Sequence, residues 1–531
     1  MKNFQGLFLV GCSAIALAGC GPSDIASPGT GGDVIINNPT PTPTATPTGG
    51  TGNVTAAAGC PTITDPQGLS DQGTITGPTG TWRVCRLPSL VRTSTTLPKV
   101  AGLLYEISGR VNVGCDGGFS APTAAAPVTS TTVGCSTPLT ADTNVTLTIA
   151  PGAILFGGTG QSWLAVNRGN KINAAGSATQ PIVFTSRDNV LGLNDDASQG
   201  QWGGVVLLGR GIVTDCNVGS VASGTCERDT EGSADLARFG GADNAYNAGR
   251  MSFVQIRYSG FVLGANRELQ ALTTEAIGTG TVLDHIQSHN SSDDGMEAFG
   301  GANNMKYYIA TGADDDSLDV DTGSQFNLQY ALLLPRSGKG DALFEIDSNG
   351  AEADTPRTKL NVSNFVAIQP ATSSDNEAND QAAALFRGNL DVTLANGLII
   401  ALNNECIRLN GSGTTPVTLT ARSVALQCNA TKFIGSGSIT AAQVASAFGS
   451  GSNNNNDAFT STLTSLFING ANEDAVVAFN PTTLSSFFEL PSPNRIGAAW
   501  SGNTAWYTGW TCNSSTANLS GGSSCTSLPT T

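Results

Sequence analysis

Only two histidines occur in 531 residues, and no Cys-x-x-Cys pair or Cys/His cluster accompanies them. Zinc frameworks and haem ligation therefore have almost nothing to work with. Positive charge is scarce as well. Lys and Arg total 25 against 41 Asp and Glu, a net charge of −16 with a pI near 4.5. The basic footprint that nucleic acid demands is missing. Gly-x-Ser-x-Gly, phosphate-loop and dinucleotide fingerprints are missing too. Charged residues of both signs make up 12% of the chain, while glycine alone contributes 65 residues. That balance speaks for many short strands joined by turns and against a helical protein.

What is present begins with an address. Met1-Lys2 precede LFLVGCSAIALAG, an apolar run too short to span a bilayer. It ends in Leu17-Ala18-Gly19-Cys20, which resembles the bacterial lipobox. Residues 1–19 are then a lipoprotein signal peptide, and Cys20 is the acylated N-terminus that reaches the membrane. Acyl chains such as palmitate contribute about 0.8 kcal/mol per buried CH₂, so several of them anchor a protein stably. Gly21 follows where an inner-membrane retention signal would place Asp. The expected destination is the outer membrane, on its surface or periplasmic face. Residues 20–58, with PTPTATPTGGTG, carry hardly any large apolar side chain and read as a disordered tether. Leaving Cys12 and Cys20 aside, ten cysteines remain in close sequential couples. In an exported chain they are expected to join as Cys60–Cys85, Cys115–Cys135, Cys216–Cys226, Cys406–Cys428 and Cys512–Cys525.

Residues 59–140 read as irregular, disulfide-stapled β structure, an N-terminal cap. From residue 141 onward short apolar strands closed by Gly or Pro-Gly recur: VTLTIAPGAILFGG, SWLAVNRGNKINAAG, PIVFTSRD. They return about every 20 to 26 residues, the period of one solenoid coil. These phrases, with Gln201-Trp202-Gly203-Gly204, the SDDGMEAFGG/DDDSLDVD tandem and RIGAAW…AWYTGWTCN, resemble right-handed parallel β-helices of exported bacterial proteins. The resemblance covers most of the chain and points to surface proteins and lipoproteins, without an activity attached. The recurrence and the turns between strands lead to an all-β, right-handed parallel β-helix over 141–435 with stapled caps at both ends, in which residues 210–250 read as a long loop or insertion. Trp202 is expected to pack in the core at a coil corner. Residues 436–531 form the C-terminal cap region. Within it 435–480, with the helix-like TSTLTSLFINGA, break the period. The aromatics Phe487, Phe488, Trp500, Trp506, Tyr507 and Trp510 are expected to cover the open end of the helix.

The chemistry concentrates between His285 and Asp347. Met296-Glu297-Ala298-Phe299, Leu318-Asp319-Val320-Asp321 and Phe344-Glu345-Ile346-Asp347 are three copies of one phrase, alternating apolar and acidic as on a half-buried strand. Stacked in register, their acids form a column of carboxylates about 5 Å apart. Like charges that close repel unless protonated or bridged by a cation. The candidate ligands are Asp293, Asp294, Glu297, Asp314, Asp315, Asp316, Asp319 and Asp321, and the candidate ion is Ca²⁺, which takes six to eight hard oxygens. Asp-Asp-Gly and Asp-Asp-Asp-Ser also read as turns, where Asp side chains satisfy nearby backbone N–H groups. His285 and His289 sit at a strand end with the spacing of possible ligands, or as plain surface residues.

Two functions follow. One is a non-catalytic surface or periplasmic lipoprotein: a rod for adhesion, for assembly beside an outer-membrane transporter or secretion partner, or for ligand capture, a glycan above all. The alternative is a calcium-dependent polysaccharide lyase or glycosidase acting on acidic polysaccharide. The Asp-Asp-Gly-Met-Glu and Asp-Asp-Asp-Ser-Leu-Asp phrases look like the calcium-binding coils of pectate-type lyases. That likeness implies a base that abstracts the proton alpha to a sugar carboxylate, for which Lys339 is the candidate. The surrounding lyase pattern is missing, as are the Gly-His-Gly and Arg-x-Lys signatures of polygalacturonases. No convincing proton-transfer residue stands beside the acids, so the non-catalytic reading is the expectation.

Overall fold

Apolar alternation decides the coil. In Met296–Phe299 the residues Met296 and Ala298 enter the central core, while Glu297 and Phe299 point the other way. The same split places Val320 and Ile346 inside and Asp319 and Glu345 outside. The computed structural model describes residues 53–158, 160–231, 236–264, 267–348, 354–372, 382–411, 415–520 and 522–530. The signal peptide, Cys20 and the linker up to residue 52 lie outside the described residues.

The strands stack into a parallel β-helix. Short strands such as Gly204–Leu208, Leu272–Glu275 and Met296–Phe299 form one 11-stranded sheet, here the outer sheet. Long strands such as Val282–His289, Ala302–Thr311, Gln325–Leu334 and Thr358–Ile368 form the other. Each long strand is bent at one residue in the left-handed region. Phe253, His285, Tyr307, Tyr330, Asn364, Asn396 and Ser423 occupy this place, with φ from +49° to +65°. Pairing skips that residue in every coil, so each bent strand serves two faces. In earlier coils the two faces are separate strands. Lys171–Ala175 pairs with the first half of Gly249–Arg257, and Ile182–Ser186 with the second. Left-handed backbone is unfavourable for Phe253, Tyr307 and Tyr330, whereas Asn364 and Asn396 tolerate it. Ring stacking offsets part of that: centroids are 4.1 Å apart for Phe253–His285, 4.3 Å for His285–Tyr307 and 4.9 Å for Tyr307–Tyr330. At the opposite corner only glycine fits Gly301, whose φ is +69° and whose added Cβ would stand 2.1 Å from the Ile277 carbonyl.

The five cysteine couples form the expected disulfides, with Cα separations of 4.8–6.0 Å. Trp202 is fully buried, stacks on Phe184 and donates its indole N–H to the Arg257 carbonyl. Three expectations need correction. Parallel pairing begins inside the expected N-terminal cap: Gly80–Arg86 pairs with Leu103–Ile107, which pairs with Ile154–Gly157. The antiparallel strand Ser70–Gly77 closes that end. TSTLTSLFINGA forms a turn bridged at Thr464 and Ile468; the helix is Ala441–Phe448, capped by a Thr440–Gln443 box. This helix, through Val444 and Phe448, plugs the C-terminal end of the core.

The aromatic C-terminus does not cover that end. It returns along the flank of the helix as a strap over the bend column. Trp506, Trp510 and Ile496 pack with Ile309, Leu332, Val366 and Leu398 on the long strands. Leu528 reaches Trp82 and Val84 at the N-terminal coils. An end cap is required only where the core is open, and the Ala441–Phe448 helix already fills that role.

Candidate metal centre

The outer sheet aligns two columns of outward side chains. The first runs Ala165, Val206, Thr273, Glu297, Asp319, Glu345 and Leu385; the second includes Leu208, Glu275, Phe299 and Asp321. Early coils supply apolar members and the middle coils acids. The described part of the insertion between Gly209 and Ala248 packs on the apolar members of both columns and reaches Glu275 in the second. Its Val213, Cys226, Ala237 and Phe239 pack on Val206, Leu208 and Phe299, and Cys216–Cys226 staples it. Glu297, Asp319, Asp321 and Glu345 are at most 2% exposed.

Two carboxylate trios come within ligand distance. Asp294, Glu297 and Asp319 bring one oxygen each within 4.8 Å of one another, and so do Asp293, Asp294 and Asp315. Asp294 belongs to both. The first trio is wholly buried; the second lies at the turn, where Asp315 is half-buried. Glu297 Oε1 and Asp319 Oδ1 have no hydrogen-bond partner among the described residues. Such atoms carry a full desolvation cost unless something outside the chain satisfies them. Burial, then the negative charge of neighbours, raises Asp294, Glu297, Asp316 and Asp319 well above the usual carboxylate range. Burial raises Asp293 to about 7. At neutral pH this cluster must therefore hold protons or a cation. All its donors are carboxylate oxygens, the donor type of a hard cation such as Ca²⁺.

The other expected ligands stand apart. Asp314 turns away: Arg336 binds it at 2.6 Å, Gln199 at 2.5 Å, and Lys339 approaches to 3.7 Å. Asp316 accepts the Ala342 N–H at 2.7 Å. Asp321 accepts the Thr322 N–H at 2.5 Å and faces the insertion. Its neighbour there is Arg228, whose guanidinium lies 4.9 Å over the Phe299 ring and 3.1 Å from Asp215. Arg387 closes the column on the far side, bound to Glu345 at 2.5 Å and Asp347 at 2.6 Å. Arg228, Arg387 and Glu275 escaped the sequence reading. Arg387 was findable, because Ala384-Leu385-Phe386-Arg387 continues the repeated phrase with the acid replaced. The histidines belong to neither the cluster nor the surface. His289 is fully buried with Nδ1 2.9 Å from Thr311 Oγ1, and His285 is sandwiched in the bend column.

A second concavity, a groove of about 620 Å³, lies between residues 194–196 and the disulfide loop of the strap. Asn194, Asp195, Asp196, Asn513, Ser514, Asn518, Ser524 and Thr526 line it, all short polar side chains. Among known families, the profile of the pectate-lyase like β-helix domain matches residues 129–511, which takes in the metal centre and the strap as far as Thr511. No curated protein sequence and no solved structure matches the chain.

Proposed function

Since the chain belongs to the pectate-lyase-like β-helix domain family, we propose that it is a non-catalytic member of it: a calcium-stabilised surface rod that captures a hydroxyl-rich ligand, a glycan above all. One observation carries the reading. In the buried trio Asp294, Glu297 and Asp319, Glu297 Oε1 and Asp319 Oδ1 have no partner among the described residues, while Asp294 accepts the Asp316 N–H at 2.9 Å. A cation there holds adjacent coils together, whereas a cation that activates a polymeric substrate must meet it in solvent. The groove of Asn, Asp, Ser and Thr side chains beside the strap supplies donors and acceptors for hydroxyl groups. Lys339, the base required by the lyase alternative, lies 40% exposed against Asp314. The lipobox-like Leu17-Ala18-Gly19-Cys20 supports anchoring in the outer membrane, with the linker as spacer.

Calcium binding to the native state alone raises stability by RT ln(1 + [Ca²⁺]/Kd), about 2.7 kcal/mol at a hundred times Kd. A chelator should lower the melting temperature, and Asp294→Asn with Asp319→Asn should erase the difference. A melting temperature indifferent to calcium and chelator would defeat the metal centre. Unsaturated products from polygalacturonate or alginate, lost in Lys339→Ala, would instead establish the lyase. Cys20→Ser should release the chain from membranes, and unchanged retention would refute the anchor.

A further inference from the structure

The strap is held by a device that reads main chain. Gln329 donates from Nε2 to the Glu489 carbonyl at 2.8 Å and accepts the Glu489 N–H at 2.9 Å. Gln287 does the same to Cys512, at 3.0 and 2.8 Å, and Asn396 to Phe479, at 2.9 and 2.7 Å. Asn364 adds a bond to the Arg495 carbonyl at 2.9 Å. These amides are fully buried and lie on or beside the bend column, so the flank holds the strap through its main chain at several separate points. The stacked rings of the column then select this chain's segment by seating Trp506 and Trp510.

Nothing covalent fixes which copy of the segment fills the groove. Four disulfides lie within the body and the fifth, Cys512–Cys525, lies within the strap. The connection is the exposed stretch Gly449–Asn454, between the Ala441–Phe448 helix and the start of the strap at Asn455. Four of its six residues are left-handed: Gly449 at +68°, Gly451 at +75°, Asn453 at +53° and Asn454 at +59°. Glycine and asparagine adopt this backbone readily, so the turn is a short hinge that folds the segment back on its own body, an arrangement open to exchange. Opened, six residues reach about 20 Å.

We propose that the flank groove is an exchange interface, in which the strap of a second copy of this chain docks and joins two rods through their helix-plugged ends. Every contact in the exchanged dimer already exists in the single chain, so only the hinge differs between the two. Straps crossing in opposite directions give a closed twofold pair, not an open filament.

Lys306 Nζ lies 2.8 Å from Glu489 Oε2 across the body–strap boundary, so a zero-length carbodiimide couples them directly. Full chains labelled with heavy and light nitrogen are mixed unfolded, refolded at rising concentration, coupled and digested. The Lys306–Glu489 peptide should appear with mixed labels, increasingly so at higher concentration, and Lys306→Arg should abolish it. Deleting Ser450–Asn453 should raise the mixed share, because the shortened hinge no longer turns back easily. Links confined to one label at every concentration, in the natural chain as well as the shortened one, would overturn the proposal. The natural-chain series stands alone if the shortened chain does not fold.

Discussion

Glu275 offers a test of the electrostatics that requires no ligand. Its side chain is fully buried under the insertion, Oε2 accepts the Thr230 hydroxyl at 2.7 Å, and Oε1 has no partner among the described residues. Burial pushes this carboxyl up to about 8, against 4.5 in the unfolded chain. A group raised on folding contributes stability that is whole below its unfolded value and is lost as pH rises through the folded one. Each pH unit between those values costs about 1.4 kcal/mol, so on the order of 3 kcal/mol has gone by pH 7. Glu275→Gln removes the titration. The amide oxygen keeps the Thr230 bond, and the NH₂ takes the place of Oε1, where the O–H of the neutral acid lacks an acceptor too; the second unsatisfied N–H of the amide adds a loss of about 1 kcal/mol. The variant should therefore be about 1 kcal/mol less stable than the natural chain near pH 4 and about 2 kcal/mol more stable at pH 7. Urea unfolding across pH 4–8, with chelator throughout so that no cation intervenes, reads the difference from the midpoints at constant m. The remaining raised carboxylates act equally on both proteins and cancel. A difference that stays constant across this range would refute the reasoning.

Trp510→Ala should loosen the strap by about 3–5 kcal/mol, because this fully buried ring meets Phe253 and His285 edge-on. Hydrogen exchange of residues 490–512 should accelerate while the outer sheet stays protected; acceleration everywhere would show that the strap and helix unfold together. Arg168→Met should cost about 3–5 kcal/mol near neutral pH, since it strands buried Asp116, now held by two bonds of 2.6 and 2.8 Å. Burial raises the Asp116 carboxyl, but Arg168 outweighs it and holds the group below its usual range. The cost should shrink as pH falls and Asp116 is protonated, and thermal melts from pH 7 to 3 would reveal a cost that does not.

The coil was legible because one residue choice repeats. Gly-Gly and Asp-Asp-Gly turns bracket strands whose apolar members must face one core, so register and acid column follow from spacing. The five cysteine couples were legible through proximity in the chain. The bend column was not, since Phe253, Tyr307 and Tyr330 carry no propensity for the left-handed backbone they adopt. Without that bend the flank groove is invisible, and a tail rich in Trp and Tyr reads as an end cap. The acids themselves were found, but what separates the trios from Asp314 is Arg336, which reaches that turn from the next coil. The insertion over 210–250 was legible as a break in the period, but its seat on the column was hidden: Phe239 on Phe299 is a contact between segments with no shared period.

The strap spans the flank from the coil of Thr418–Cys428 back to the first coils, and so measures the length of the rod. Each coil added between two anchored points moves them apart by about 4.8 Å. The strap can take up such a change only in its own turns, since it already doubles back between Glu489, held by Gln329, and Arg495, held one coil further on by Asn364. Insertions of whole coils, harmless in an open solenoid, here pull Trp506 or Trp510 out of register unless the tail changes with them. Coil number and tail length should drift together among relatives that keep the strap.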